Sequence, residues 1–286
     1  MAAFRILLRT LRAWNDHRDS AMGAALAYYT LFSLAPFLLI AIDVAGAFFQ
    51  HEEVLPRIER YVSENVSKEA ASAMRAIADQ AQQTHQEGGA AILGIVLLVF
   101  GSLGTFLHLR TSFCDIWELK APEGNSVVEF VMNYVFALFG AMTIVALLLA
   151  ALAVSLLAPI VRVVLKQWFS EYEADLWSLV EFAGGFVFLT LIFAALYRVL
   201  SGRRVTWRHS LAGAAFAAIL FTLGKFGVNF WLSKSATANS FGVFSSLVVL
   251  LIWLWFSAQV IFLGAELIQA IRTPWRAETK PASPTN

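Results

Sequence analysis

Asp43, Glu181, Lys225, Asn229, Gln259 and Glu266 are the side chains whose chemistry most needs explaining in this chain, because each lies within or beside a long apolar stretch. An ionised group at the centre of a hydrocarbon slab costs on the order of 2.5–3.5 kcal/mol on insertion scales, so each must find a partner or water. Asp43 stands six residues before Phe49 and Lys225 six residues before Trp231, near the outer ends of two stretches that would run outward. Opposite charges at equal depth predict an ion pair, with Asn229 one turn beyond Lys225 and Glu181 near the outer end of a third stretch. The alternative is that Asp43 and Lys225 extend separately to the outer interface.

A second group lies toward the opposite end. Glu266 sits five residues before the inner end of the last stretch, His108 lies near the inner end of the second, and Gln259 is two turns from Glu266 on the same helix. Glu266 and His108 either share a proton or face water independently. Pro36, in mid-stretch, removes a backbone donor and frees a carbonyl, which Tyr28, Tyr29, Thr30 or Ser33 could satisfy. Tyr28, Tyr29, Ser33, Pro36, Asp43, Glu181, Lys225, Asn229, Gln259 and Glu266 are therefore expected to line a polar intramembrane chamber, open toward the outer leaflet.

Catalytic signatures are lacking. His17, His51, His85, His108 and His209 are scattered without ligand spacing, and no Gly-x-Ser-x-Gly elbow, phosphate loop or Cys-x-x-Cys pair occurs. Cys114 is the single cysteine, so no internal disulfide forms. The net charge of +1 argues against a polyanion-binding surface and so against nucleic acid as a partner. No catalytic centre, metal or cofactor is expected.

The elements that must hold these groups are membrane helices. Hydrophobic residues make up 59% of the chain and charged residues 14%, against about 25% charged in a soluble domain. No Asp, Glu, Lys or Arg occurs from Ser20 to Ile42, Gly88 to Leu109, Phe130 to Val161, or Ser235 to Ala265, and two shorter uncharged cores run from Phe182 to Tyr197 and His209 to Gly224. About 20 apolar residues cross the hydrocarbon as a helix, which satisfies its own backbone. The fold expected is an all-α integral membrane protein with six transmembrane helices, at about 22–49, 90–110, 128–158, 177–199, 209–232 and 242–271. The apolar run before Ala45-Gly46-Ala47 is too long for a cleaved signal, so the first helix is expected to be retained. Trp14, Trp117, Trp168, Trp177, Trp207, Trp231 and Trp275 fall at helix ends as an interfacial belt would place them. Gly101, Gly104, Gly213, Gly224 and Gly227 suit close helix packing.

Of the 21 Lys and Arg residues, thirteen fall on the side shared by the two termini and seven on the opposite side, which predicts cytoplasmic termini in a bacterial inner membrane. Residues 1–19 form an amphipathic helix, with Phe4, Leu7, Leu8, Leu11 and Trp14 on one face and Arg5, Arg9 and Arg12 on another, suited to membrane lipids. Residues 51–88 form an extracytoplasmic helical insert with apolar positions at Leu55, Ile58, Val62, Val66, Ala70, Met74 and Ile77, expected to cap the bundle or to meet an envelope protein. Residues 273–286, with Pro274, Pro281 and Pro284, are expected to be a disordered cytoplasmic tail.

Four stretches, "GAALAYYTLFSLAPF", "LRTSFCDIWELK", "LAGAAFAAILFTLGKFGVNFW" and "SFGVFSSLVVLLIWLWFSAQVIFLGAELIQA", carry a resemblance that runs over nearly the whole chain. On Leu26, Ala27, Tyr28, Ser33, Leu34 and Pro36, on Gly224-Lys225 and on Leu263-Gly264-Ala265-Glu266, the sequence resembles the YihY/virulence factor BrkB family of bacterial inner-membrane proteins. The resemblance implies a six-helix membrane protein, linked in some relatives to virulence, and a ribonuclease label that some relatives have carried. The sequence departs from the family at Thr222, where an acidic residue is frequent, at Phe241, where Tyr is frequent, and at Cys114-Asp115, near which Asn is frequent.

Translocation of a lipid, amphiphile or small solute through the polar chamber is the function these residues favour. A non-catalytic envelope scaffold acting through residues 51–88 is the alternative, and a membrane-bound hydrolase, as the ribonuclease label suggests, is the third.

Overall fold

The computed structural model of the chain describes residues 2–46, 51–65, 67–86, 104–105, 107–118, 173–201, 205–234 and 243–273. The expected spans at 90–110 and 128–158 lie outside these residues except for 104–105 and 107–110, and the tail 273–286 lies outside them except for Thr273. The described residues are helical, without a strand.

Helix α1 covers Ala2–Asp16, α2 Asp19–Gly46, α3 His51–Asn65 and α4 Lys68–Gln86. A helical stretch follows at 107–116. Helices α5 (Glu173–Leu200), α6 (Trp207–Lys234) and α7 (Val243–Arg272) complete the described part. Within them, Phe182–Leu200, Trp207–Gly227 and Ser246–Arg272 are long and apolar enough to cross a membrane. Leu179, Phe182 and Val187 on α5 and Leu223 and Phe226 on α6 are exposed, an apolar surface that water would penalise and lipid would not.

Local chemistry sets the helix ends. Ser67 caps α4 by accepting the backbone N–H of Ala70 at 3.0 Å, three residues on, which satisfies a donor that the first turn leaves open. Arg198 and Arg272 sit in the last turns of α5 and α7, where the helix dipole favours a cation. Between α5 and α6, Arg198 stacks over the Trp207 ring at 5.5 Å and donates to the Val205 carbonyl, while the Ser210 hydroxyl donates to the Ala194 carbonyl at 2.9 Å. These contacts close the two helices into a hairpin.

α7 is the central helix, packing against α1, α2, α4 and α6. Its second half is buried on most faces, with Ala258, Val260, Phe262, Ala265 and Ile268 joining Leu26 of α2, Phe113, Ile116 and Trp117 of the stretch at 107–118, Phe193 and Tyr197 of α5, and Ala214, Ala217 and Ala218 of α6 in one core. Small residues let the backbones approach. A Cβ at Gly264 would collide with the Tyr197 hydroxyl, which donates to the Ile261 carbonyl at 3.0 Å. Gly104, Gly213 and Gly224 are likewise filled by neighbouring side chains, whereas no described residue lies within 4 Å of a Cβ at Gly227. Trp117 also departs from the belt expected of it. It is 3% exposed, and its Nε1 donates to the Ala265 carbonyl at 3.2 Å, because the helix at 107–116 carries it into the core.

The insert forms two helices that pack on each other and on α2 and α7. Val54, Leu55, Met74 and Ala78 meet Leu38 and Ile42 of α2, and Ala70 and Ala73 meet Leu250 and Trp253 of α7. Its polar side carries Arg75, paired with Glu59 at 2.7 Å and with Asp79 at 3.2 Å.

Candidate functional site

Helices α1 and α2 meet at a turn centred on Arg18, whose φ of 57° is the left-handed conformation. A side chain other than glycine adopts that region at a cost of about 1–2 kcal/mol. The turn is tied by the Arg18 N–H to the Asn15 carbonyl at 3.2 Å and by the Ala21 N–H to the Arg18 carbonyl at 2.9 Å. It throws His17 and Asp19, one on each side of Arg18, toward Glu266 of α7.

His17 Nδ1 lies 2.5 Å from Glu266 Oε1. Asp19 and Glu266 are both 0% exposed, while the His17 side chain is 30% exposed. One ligand-type atom from each of the three lies within 4.8 Å of the others. Among the described residues, both carboxylate oxygens of Asp19 and Oε2 of Glu266 have no hydrogen-bond partner. Asp19 and His17 precede the uncharged run that begins at Ser20. Burial, and secondarily the charge of Glu266, push the Asp19 carboxyl up to about 7 against the opposing pull of His17. Burial pulls the His17 imidazole down, but its hydrogen bond to Glu266 and the charges of Glu266, Asp19 and Glu118 outweigh this and raise it. The C-terminal end of the α1 dipole and the N-terminal end of the α2 dipole meet here and oppose one another, so the side chains set the local field.

Amide and indole groups pin the start of α2 against α7. Trp14 Nε1 donates to Gln259 Oε1 at 2.9 Å, Gln259 Nε2 donates to the Asp19 carbonyl at 3.2 Å, and Trp255 Nε1 donates to the Ser20 carbonyl at 3.2 Å. A Cβ on Gly23 would collide with the Gln259 amide, so this close approach depends on glycine.

Of the residues read from the sequence, Gln259 and Glu266 are brought into one polar cluster, with partners the spacing did not name. His108 is not the partner of Glu266: its Nε2 bonds the Met22 carbonyl at 2.9 Å, and Glu266 is enclosed with His17 and does not face water. Tyr28 is 57% exposed and packs edge-on to Tyr29 and against Phe32. Tyr29 lies against Gly104, its ring 5.9 Å from that of His108. α2 continues through position 36, and the nearby hydroxyls bond earlier carbonyls, Ser33 to Thr30 at 2.9 Å and Thr30 to Leu26 at 2.7 Å, not the carbonyl of Phe32 that a proline at 36 frees. Lys225 is half-buried on α6. The side chains of Pro36, Asp43, Glu181 and Asn229 lie outside the described residues, and with them the Asp43–Lys225 pair. The sequence assigns Trp14 to the interfacial belt and His17 to a scattered set of histidines and does not single out Asp19, because all three precede the uncharged run; the available signal is Asp19 directly abutting that run.

The fold and this cluster define a helical membrane protein with ionisable groups enclosed where a terminal helix meets its central one. The profile of the family described as virulence factor BrkB matches residues 10–286, and the chain belongs to that family. It is similar to UPF0761 membrane proteins of Xanthomonas campestris pv. campestris and Xanthomonas axonopodis pv. citri, each 30% identical over 262 residues, and of Xanthomonas oryzae pv. oryzae, 29% identical over 262 residues. Each alignment covers 91% of this chain and 59% of the relative, so the chain spans less than two thirds of the length of these proteins. No solved structure matches the chain.

Proposed function

We propose that the chain is a multi-pass protein of the bacterial inner membrane, with cytoplasmic termini, that moves a small solute or amphiphile across or within the bilayer. The observation that carries this reading is the pair of fully buried, incompletely bonded carboxylates of Asp19 and Glu266 at the junction of α1, α2 and α7. A buried charge that lacks part of its hydrogen bonding costs several kcal/mol, and apolar residues of the same volume would make the bundle more stable. Groups of this kind in membrane helices serve binding or conduction. The exposed apolar side chains Phe4, Leu7, Leu8 and Leu11 of α1 give the junction a surface that membrane lipids would cover.

The test is flux of small solutes and scrambling of labelled lipids in vesicles containing the purified chain. Wild-type protein is expected to exceed empty vesicles, and Glu266→Gln to reduce the rate at least about tenfold, equivalent to about 1.4 kcal/mol on the limiting step. Wild-type rates equal to those of empty vesicles across lipids and solutes would remove the reading. The envelope-scaffold reading draws on the polar side of α3 and α4; in that case, substitutions there abolish the cellular role while the vesicles remain silent.

A further inference from the structure

We infer that His17, Asp19 and Glu266 form a binding site for one divalent transition-metal cation of the zinc class, held by one imidazole nitrogen and two carboxylates. The inference goes beyond transport and holds whether or not the chain moves a solute.

The donor set is complete before any metal is added. Three ligand-type atoms, one from each residue, already lie within 4.8 Å of one another. Bonds of 2.0–2.1 Å in tetrahedral geometry place ligand atoms about 3.3 Å apart, so side-chain movements of about 1 Å complete the site. The close contact of His17 Nδ1 with Glu266 Oε1 must open slightly as a cation takes the place of the shared proton.

The second observation is the set of vacant lone pairs. Among the described residues, both oxygens of Asp19 and Oε2 of Glu266 are without a partner, on residues that are 0% exposed. Native proteins leave few such atoms, and each calls for an ion, a water or a chemical role. Among the described residues no Lys or Arg forms an ion pair with either carboxylate, and the His17 hydrogen bond serves only one oxygen of Glu266. Asp16 and Glu118 add negative charge nearby, acting on Glu266 and His17 respectively.

The ligand chemistry selects the ion. An imidazole donor suits zinc, cobalt and copper, whereas calcium and magnesium prefer oxygen alone. Three protein ligands leave a fourth position open for water or an exchangeable group. The partly exposed His17 ring marks the side from which the ion enters, and Gln259, bonded to the Asp19 carbonyl, holds one ligand residue in place.

The full-length chain, purified in lipid nanodiscs and stripped with a chelator, is titrated with cobalt(II), whose visible absorption reports its coordination, and then with zinc(II). One cobalt per chain is expected, displaced by zinc. Asp19→Asn and Glu266→Gln are each expected to weaken binding by more than the roughly 10–100-fold that loss of an outer-shell partner produces. His209→Ala, on α6, leaves it unchanged. Pulsed EPR of the copper(II)-loaded wild type provides a readout independent of variant folding: coupling to a single imidazole nitrogen is expected. The inference is overturned if wild-type protein binds no cobalt beyond the Asp19→Asn/Glu266→Gln double variant, or if copper shows no imidazole coupling.

Discussion

His17 and Glu266, separated by 249 positions in the chain, meet at 2.5 Å where the turn after α1 packs on the central helix α7. Their contact joins the first described helix to the last and encloses the Glu266 carboxylate.

His17→Ala removes the bonded partner of a fully buried carboxylate. Because His17 is partly exposed, the destabilisation is expected at the lower end of the range for broken buried pairs, about 3 kcal/mol. His17→Gln, which keeps a donor, should recover part of it. Reversible denaturant unfolding in mixed micelles measures both, and equal stability of wild type and His17→Ala would show that the pair holds nothing together.

The Trp14–Gln259 hydrogen bond is expected to show a coupling of about 1 kcal/mol in a double-mutant cycle with Trp14→Phe and Gln259→Leu. Additive effects would mean that the indole and amide act independently.

Gly264→Ala drives a methyl group into the Tyr197 hydroxyl and displaces it from the Ile261 carbonyl, at an expected cost of about 1–3 kcal/mol. Gly227→Ala meets no described neighbour and should be neutral or stabilise by up to about 1 kcal/mol through helix propensity. Thermal unfolding of the two variants side by side tests the contrast; the reverse order would contradict the packing described.

Ala70 is 0% exposed in the cluster that joins α4 to Leu250 and Trp253. Ala70→Leu overpacks that seam and is expected to cost about 1–3 kcal/mol. Increased protease cleavage within 51–86 would report its loosening, and an unchanged pattern would argue against a tight seam. A truncation lacking these helices uncovers Trp253, so it cannot isolate a surface role of the insert.

Much of the fold was legible because hydropathy and helix length are local properties. Among the described residues, Phe182–Leu200, Trp207–Gly227 and Ser246–Arg272 are helices long and apolar enough to cross a membrane, as their uncharged runs lead one to expect. The amphipathic insert was legible from its apolar repeat, but the repeat does not say what the apolar face covers; α2 and α7 cover it. The candidate site was only half legible. Gln259 and Glu266 stood out as polar groups in an apolar helix, whereas His17 stood only among five scattered histidines and Asp19 only at the end of the amphipathic segment 1–19.

Apolar runs alone make this a helical membrane protein, because they require a solvent other than water and a backbone that bonds to itself; its place in the BrkB family rests instead on the matching stretches and on the family match over residues 10–286. Which polar groups meet is set by how the helices pack. That choice rests on the left-handed turn at Arg18, on the close approach that Gly23 permits, and on the face that α7 turns toward α1 and α2. Depth along a helix can be counted from sequence, but the partner across an interface is set by rotation about helix axes and by side-chain shape, which no local pattern encodes.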